Sequence, residues 1–157
     1  MYSIAVKVSA GDLQAEGATM AIEVQGLCPL IQVYDMPESV KFYTEVLGFE
    51  VVSRSPTYAM EGDVELFHWA LLKRDEAQLM LNTAYDEGER PAERDLARDA
   101  LHRDTGLFLG CPDLDGACAQ LKVLGVDCEA LKNMPYGMRQ LSLRDPDGYG
   151  ITLQWSV

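Results

Sequence analysis

The stretch DMPESVKFYTEVLGFEV at residues 35–51 comes back later in the chain as DLDGACAQLKVLGVDC at residues 113–128. Each copy opens on an aspartate with acid in the first turn, and Pro37 sits near the first helical position, which are helix-start signals. Apolar residues then follow at helical spacing: Val40, Phe42, Tyr43, Val46 and Leu47 in the first copy, Ala117, Cys118, Leu121 and Leu124 in the second. Each copy closes on a glycine, Gly48 or Gly125, at the place where a left-handed residue ends a helix.

Working outward, a short apolar run precedes each helix, at residues 27–34 and 105–111. Bounded by turn residues, such runs predict buried strands. Three more strands are predicted after each helix: 49–55, 64–73 and 77–83 in the first half, and 126–131, 137–144 and 149–155 in the second. The turn at Arg74-Asp75-Glu76 matches the longer turn Asp145-Pro146-Asp147-Gly148, with two extra residues. That overlay places Met80 at the position of Thr152, and Asn82 at the position of Gln154. One helix and four strands are too few to cover their own sheet. The expected fold is therefore α+β: two tandem βαβββ modules, helices outside, forming a curved mixed sheet around a cavity. Ligands tend to bind at such a junction.

The module boundaries are expected at 20–84 and 105–157, within a single domain over 20–157. Residues 85–104 are polar, centred on Pro91, and form the expected linker, with a short surface helix over 93–102. The apolar stretch at residues 4–6 is too short for a secretory leader, and Lys7, Asp12 and Glu16 break up the residues after it. Residues 1–19 are expected to be an extension from an upstream start, outside the core.

A length of 157 residues fits one domain. The formal net charge of -12 argues against a nucleic-acid partner, whose phosphates need a basic face. It would attract a cationic ligand, although acidity also serves solubility. No apolar run approaches a membrane span. Cys28, Cys111, Cys118 and Cys128 form no CxxC pair, so neither a zinc ribbon nor a redox motif is signalled. Three of them lie in apolar runs and behave as small hydrophobes. A reducing, cytoplasmic compartment is expected. Ser-His-Asp and Cys-His arrangements and phosphate-cradling glycine motifs are absent.

Two motifs in order, Val33-Tyr34-Asp35 with Phe42-Tyr43 and Leu47-Gly48-Phe49, then Arg144-Asp145-Pro146-Asp147-Gly148-Tyr149, resemble the vicinal-oxygen-chelate superfamily. That superfamily contains glyoxalase I, extradiol dioxygenases, fosfomycin-resistance proteins and bleomycin-resistance proteins. The likeness runs from Met20 to Val157. Its metal enzymes hold one divalent ion with His, Glu or Gln side chains, two from each half. The corresponding places here are Cys28, Met80, Gly106 or Leu107, and Thr152. These offer sulfur, hydrocarbon or a neutral hydroxyl where such ions need carboxylate or imidazole. No metal or other cofactor is therefore expected.

Without a metal, the loop Pro135-Tyr136-Gly137-Met138-Arg139 gains weight, because it is similar to one in bleomycin-resistance-like members. Those bind and sequester a bulky cationic drug without altering it, usually as dimers with clefts between subunits. The resemblance thus implies a metal-free homodimer sequestering a small, partly aromatic molecule, with a cationic group favoured by the net charge. Strand alternation offers Gln32, Met80 with Asn82, and Thr152 with Gln154 as cavity residues. An amide such as Gln32 in an apolar strand needs a partner. Trp69 and Trp155 either stack on a ligand or are buried in the core or a dimer. Tyr136 and Arg139 flank Gly137 as a closing mouth, unless Arg139 pairs with the acidic linker. His68 is expected as a hydrogen-bonded wall residue, and His102 on the surface. The alternative is a metal-dependent lyase or dioxygenase using other ligands, such as His68 with Gln154.

Overall fold

The computed structural model of the protein describes residues 25–157, so the expected extension at residues 1–19 lies outside the described residues. The first half runs β1 (Leu30–Val33), α1 (Met36–Lys41), β2 (Glu50–Arg54), β3 (Ala59–Glu61), β4 (Val64–Leu66), β5 (Trp69–Arg74) and β6 (Ala77–Thr83). A short helix α2 (Leu96–Leu101) lies in the polar stretch. The second half runs β7 (Gly106–Gly110), α3 (Leu114–Val123), β8 (Lys132–Met134), β9 (Met138–Arg144) and β10 (Gly150–Ser156).

Local chemistry starts and stops the helices. The Asp35 carboxylate accepts from the Glu38 amide at 2.9 Å, and that of Asp113 accepts from the Gly116 amide at 2.8 Å. α1 runs straight on into a turn of π spacing, Phe42–Val46, before Gly48 ends the helix at φ +70°. At the end of α3, Gly125 takes φ +67° and the Val126 amide donates back to the Leu121 carbonyl at 2.9 Å.

That last bond corrects the strand expected over 126–131. The amide of Val126 is committed to the helix end, so only Cys128 bridges to Leu143, and regular pairing resumes at β8. The strand expected over 64–73 is two strands. Ser55 Oγ accepts from the amides of His68 (3.0 Å) and Trp69 (3.1 Å), which diverts both from a strand ladder. β4 folds back on β3 around Gly62, and β5 enters the main sheet.

The two halves repeat one topology. Their sheets have the orders β1-β6-β5-β2 and β7-β10-β9-β8, with the first strand of each half parallel to its last. The register agrees with the overlay of the halves: Met80 pairs with Leu30, and Thr152 pairs with Phe108. One face of each sheet supplies the core, where Val33, Leu72, Leu81, Leu141 and Ile151 are fully buried. Tyr43, in the π turn that continues α1, is buried with them.

Candidate functional site

Strand alternation turns Ile31, Val33, Ala70, Leu72, Leu79 and Leu81 into the core. The intervening residues of the first sheet stand on its other, open face. Cross-strand pairing arranges them in two rows: Gln32, Asn82 and Trp69 in one, Leu30, Met80 and Leu71 in the next. Asn82 Nδ2 donates to the Thr83 carbonyl at 2.9 Å and lies 3.4 Å from Gln32 Oε1. Leu30 is 47% exposed on this face, a large apolar side chain left without a cover.

The second sheet repeats the pattern. Leu141, Leu143, Ile151 and Leu153 are buried, while Phe108, Gln140, Ser142, Thr152 and Gln154 face the open side. Gln140 Nε2 donates to Gln154 Oε1 at 2.9 Å. Ser142 and Thr152 stand opposite each other in the next row, and Phe108 beside them is 59% exposed. A cleft of about 580 Å³ opens where this face meets the 126–129 segment, bounded by Glu129, Arg144 and Thr152 among others. Each open face thus carries one amide pair beside a row of apolar and hydroxyl side chains.

The structure brings Gln32, Trp69, Met80 and Asn82 together on the first face, and Thr152 with Gln154 on the second. It separates the other expected site residues from them. His68 alternates with Trp69, so it faces the helix side, stacked on Tyr58 at 4.1 Å with Nδ1 3.0 Å from Thr83 Oγ1. Trp155 alternates with Gln154 and lies beside Gly110, next to Leu153, along a groove of about 900 Å³ between the halves. Arg139 makes a bidentate pair with Asp115 of α3, at 2.6 and 2.7 Å, and not with the linker. That guanidinium holds the Asp115 carboxyl below its usual range. Tyr136 is exposed in the β8–β9 turn.

Sequence reasoning missed a polar knot at the turn Asp145-Pro146-Asp147-Gly148. Asp147 is fully buried and accepts from the Tyr34 amide (2.7 Å), Ser39 Oγ (3.1 Å) and Arg94 Nη1 (3.1 Å). Asp145 accepts from Tyr43 OH (2.9 Å) and from the amides of Asp147 (3.0 Å) and Tyr149 (2.8 Å). Burial pushes the Asp145 carboxyl up to about 6, against the pull of these hydrogen bonds. His102, expected on the surface, is half-buried: it stacks on Tyr149 at 4.1 Å, and its Nδ1 is 2.7 Å from the Asp147 carbonyl. Tyr149 OH in turn meets the backbone of Gln32, 3.2 Å from its amide. The knot thus joins the second-half turn to β1, α1 and the linker, and so fixes how the two open faces sit. The one available signal was Ser39 and Tyr43, polar groups on the inner stripe of α1, which demand buried partners.

A sequence model of the glyoxalase/bleomycin resistance protein/dioxygenase superfamily matches residues 26–153. The chain belongs to that superfamily. Solved structures share its fold. TnmS3, an antibiotic binding protein from Streptomyces sp. CB03234, is 24% identical at a TM-score of 0.61, over 88% of this chain and all of that one. A bleomycin resistance determinant encoded on the transposon Tn5 is 22% identical at 0.60, over 85% of this chain and 98% of its own. Lactoylglutathione lyase from Agrobacterium tumefaciens is 16% identical at 0.58, over 84% and 94%. No curated protein matches. At these identities the likeness speaks for the fold, and this superfamily fold carries both binding proteins and enzymes.

Superfamily members that are metal enzymes need donors on the first and last strands of each half. The register revises two of the four places expected for them. Leu107 pairs with Ile151 on the core side, and the residue beside Thr152 is Phe108. Cys28 precedes β1, and the residue beside Met80 is Leu30. Leu30, Met80, Phe108 and Thr152 do not fit a divalent ion, since none offers imidazole or carboxylate. Among the described residues, no group of three or more His, Cys, Asp or Glu converges. His68 and Gln154 stand in different sheets, one on the helix side and one on the open side, so they form no ligand pair.

Proposed function

We propose that this superfamily member binds and sequesters a small, partly aromatic molecule without a metal, in a cleft between two copies of the chain. The observation that carries this is the make-up of the two open faces: amide pairs flanked by Trp69, Leu30, Met80 and Phe108, with no acid–base or metal-binding set among them. Such surfaces grip by shape, stacking and a few oriented hydrogen bonds. Each face is only one wall, and its half-exposed apolar residues favour a second wall across from it. The first-sheet face of one protomer opposite the second-sheet face of its partner would supply it. The net charge of -12 favours a cationic group on the ligand. We place the working domain over 20–157, in the cytoplasm. Among the described residues, no helix is long and apolar enough to cross a membrane.

Bleomycin is the first probe. A ligand that binds only the folded state raises the melting temperature. The expected result is a concentration-dependent rise with bleomycin or another aromatic cation, from protein carrying no stoichiometric metal. No rise with any of these would defeat sequestration. A stoichiometric divalent ion after gentle purification would favour the lyase or dioxygenase alternative.

A further inference from the structure

A separate cavity of about 390 Å³ lies on the helix side of the first sheet, between the β3–β4 hairpin, the start of α1 and the residues after β6. Thr83 on its wall alternates with Asn82, so the cavity is on the opposite side of the sheet from the open face. Four rings line it: Tyr34, Tyr58, Phe67 and Tyr85. They are held in place. Tyr58 stacks on His68 with ring centroids 4.1 Å apart, and Tyr34 meets Tyr85 edge-on at 6.2 Å. Tyr34 OH donates to the Pro91 carbonyl at 2.6 Å, and Phe67 is buried. Glu61, Asp86 and Glu87 stand at the same cavity. Among the described residues, no hydrogen bond or ion pair holds any of their three carboxylates. We infer that this cavity is a second binding site, for a small organic ammonium ion.

The arginines around the cavity already have carboxylates of their own. Arg90, on the wall, donates to Asp35 at 2.6 Å, and Arg94 pairs with Glu38 and Asp147. Arg54 pairs with Glu65, and Arg98 lies 3.9 Å from Asp99. The three cavity carboxylates therefore carry negative charge that no side chain of the described residues offsets, and a cationic ligand would offset it. The rings say which kind of cation fits. Arg90 and Arg94 lie 5.4 and 4.7 Å over Tyr34, Arg54 lies 5.0 Å over Phe67, and Arg98 lies 5.9 Å over Tyr85. Ring faces in this region thus already hold weakly hydrated, delocalised cations. Tyr58 has no guanidinium over it among the described residues, and it is 38% exposed. A methylated ammonium spreads its charge over its methyl groups and suits such a ring. A bare metal ion needs converging donors, and no group of three or more His, Cys, Asp or Glu converges among the described residues. The volume is in the range of small-molecule sites. The cavity shares no residue with the open faces, so the site stands whether or not they bind a ligand.

The test titrates choline chloride into the isotope-labelled full chain and follows the backbone amides by NMR. Neohexyl alcohol, the uncharged isostere of choline, is the control. The expected result is saturable shifts at residues 58–61 and 85–88, with one choline per chain and no matching shifts from neohexyl alcohol. Tyr58→Leu keeps an apolar side chain but removes the ring, and should weaken choline binding roughly two- to thirtyfold. Glu61→Gln with Asp86→Asn should weaken it as well and flatten its dependence on salt. The inference is overturned by shifts that never saturate, by shifts centred on open-face residues such as Gln32 and Asn82, by equal shifts from neohexyl alcohol, or by full affinity in Tyr58→Leu. The wild-type titration decides the matter even where a variant fails to fold.

Discussion

Asp147 shows most clearly how one residue holds the two halves in place. Its carboxylate is out of solvent and takes hydrogen bonds from Tyr34 just after β1, from α1 and from the linker at once. Removing it leaves Ser39 and the Tyr34 amide without this acceptor and Arg94 with Glu38 as its remaining close partner, a loss of the kind that costs about 3–5 kcal/mol at buried charged pairs. Asp147→Ala should therefore lower unfolding stability by that much in urea titration, while Asp147→Asn, which keeps an acceptor oxygen, should lose less. Asp145 behaves differently with pH. Its carboxyl is raised to about 6 in the fold, above its unfolded value. The folded state therefore holds this proton more tightly. The stabilisation is complete below about pH 4 and disappears as pH rises through about 6, amounting to about 3 kcal/mol at most. Wild-type stability minus that of Asp145→Asn, measured from about pH 4 to 7, should fall with rising pH. A gap that stays flat would count against a buried, raised carboxyl.

At the scale of elements, the same cap chemistry serves both halves, but its surroundings differ. Gly48 needs its positive φ, and a Cβ there would come 2.7 Å from Arg74 Nη1, which donates to the Gly48 carbonyl at 2.9 Å. Gly125 has nearly the same backbone angle with nothing within 4 Å of such a Cβ. Alanine at either site carries the left-handed strain of about 1 kcal/mol, and only Gly48→Ala also disturbs a neighbouring bond. Thermal melts should therefore rank Gly48→Ala below Gly125→Ala. Asp113→Ala removes the side-chain acceptor at the start of α3, and a loss of about 1 kcal/mol is expected in the same assay. It should leave the first half's cap, built on Asp35, unaffected.

For the whole molecule, the decisive property is that each sheet spends one face on the core and leaves the other half-covered. Trp69 stands beside Asn82 and Gln32 on that second surface. Aromatic stacking is worth about 0.5–1.5 kcal/mol beyond area burial. Trp69→Ala should weaken bleomycin binding roughly three- to tenfold by calorimetric titration, with the same change at His68 having little effect because His68 faces the helix side. The proposed cleft between protomers adds a second expectation: sedimentation of the wild-type chain should show a dimer. Loss of binding from Trp69→Ala with the dimer intact would mark a ligand contact, and dissociation would mark an interface residue.

The internal repeat, the helix ends at Gly48 and Gly125 and the pairing of Met80's position with that of Thr152 were legible in the chain alone, because periodicity, capping and turn chemistry act over a few residues. The same local signals put Gln32, Met80, Asn82, Thr152 and Gln154 on sheet faces. Local signals failed where a side chain or an amide had a stronger distant or competing partner. Ser55 captures the amides that would have continued 64–73 as one strand, and the end of α3 captures that of Val126. Only the tertiary structure turned His68 and Trp155 to the helix side and joined Arg139 to Asp115. It also made Asp145 and Asp147 the joint between the halves. The bonds of Asp147 to Tyr34 and Ser39 and of Asp145 to Tyr43 link residues more than a hundred positions apart, and a buried carboxylate is stable only when the folded chain delivers its donors, which no neighbouring residue in sequence can announce.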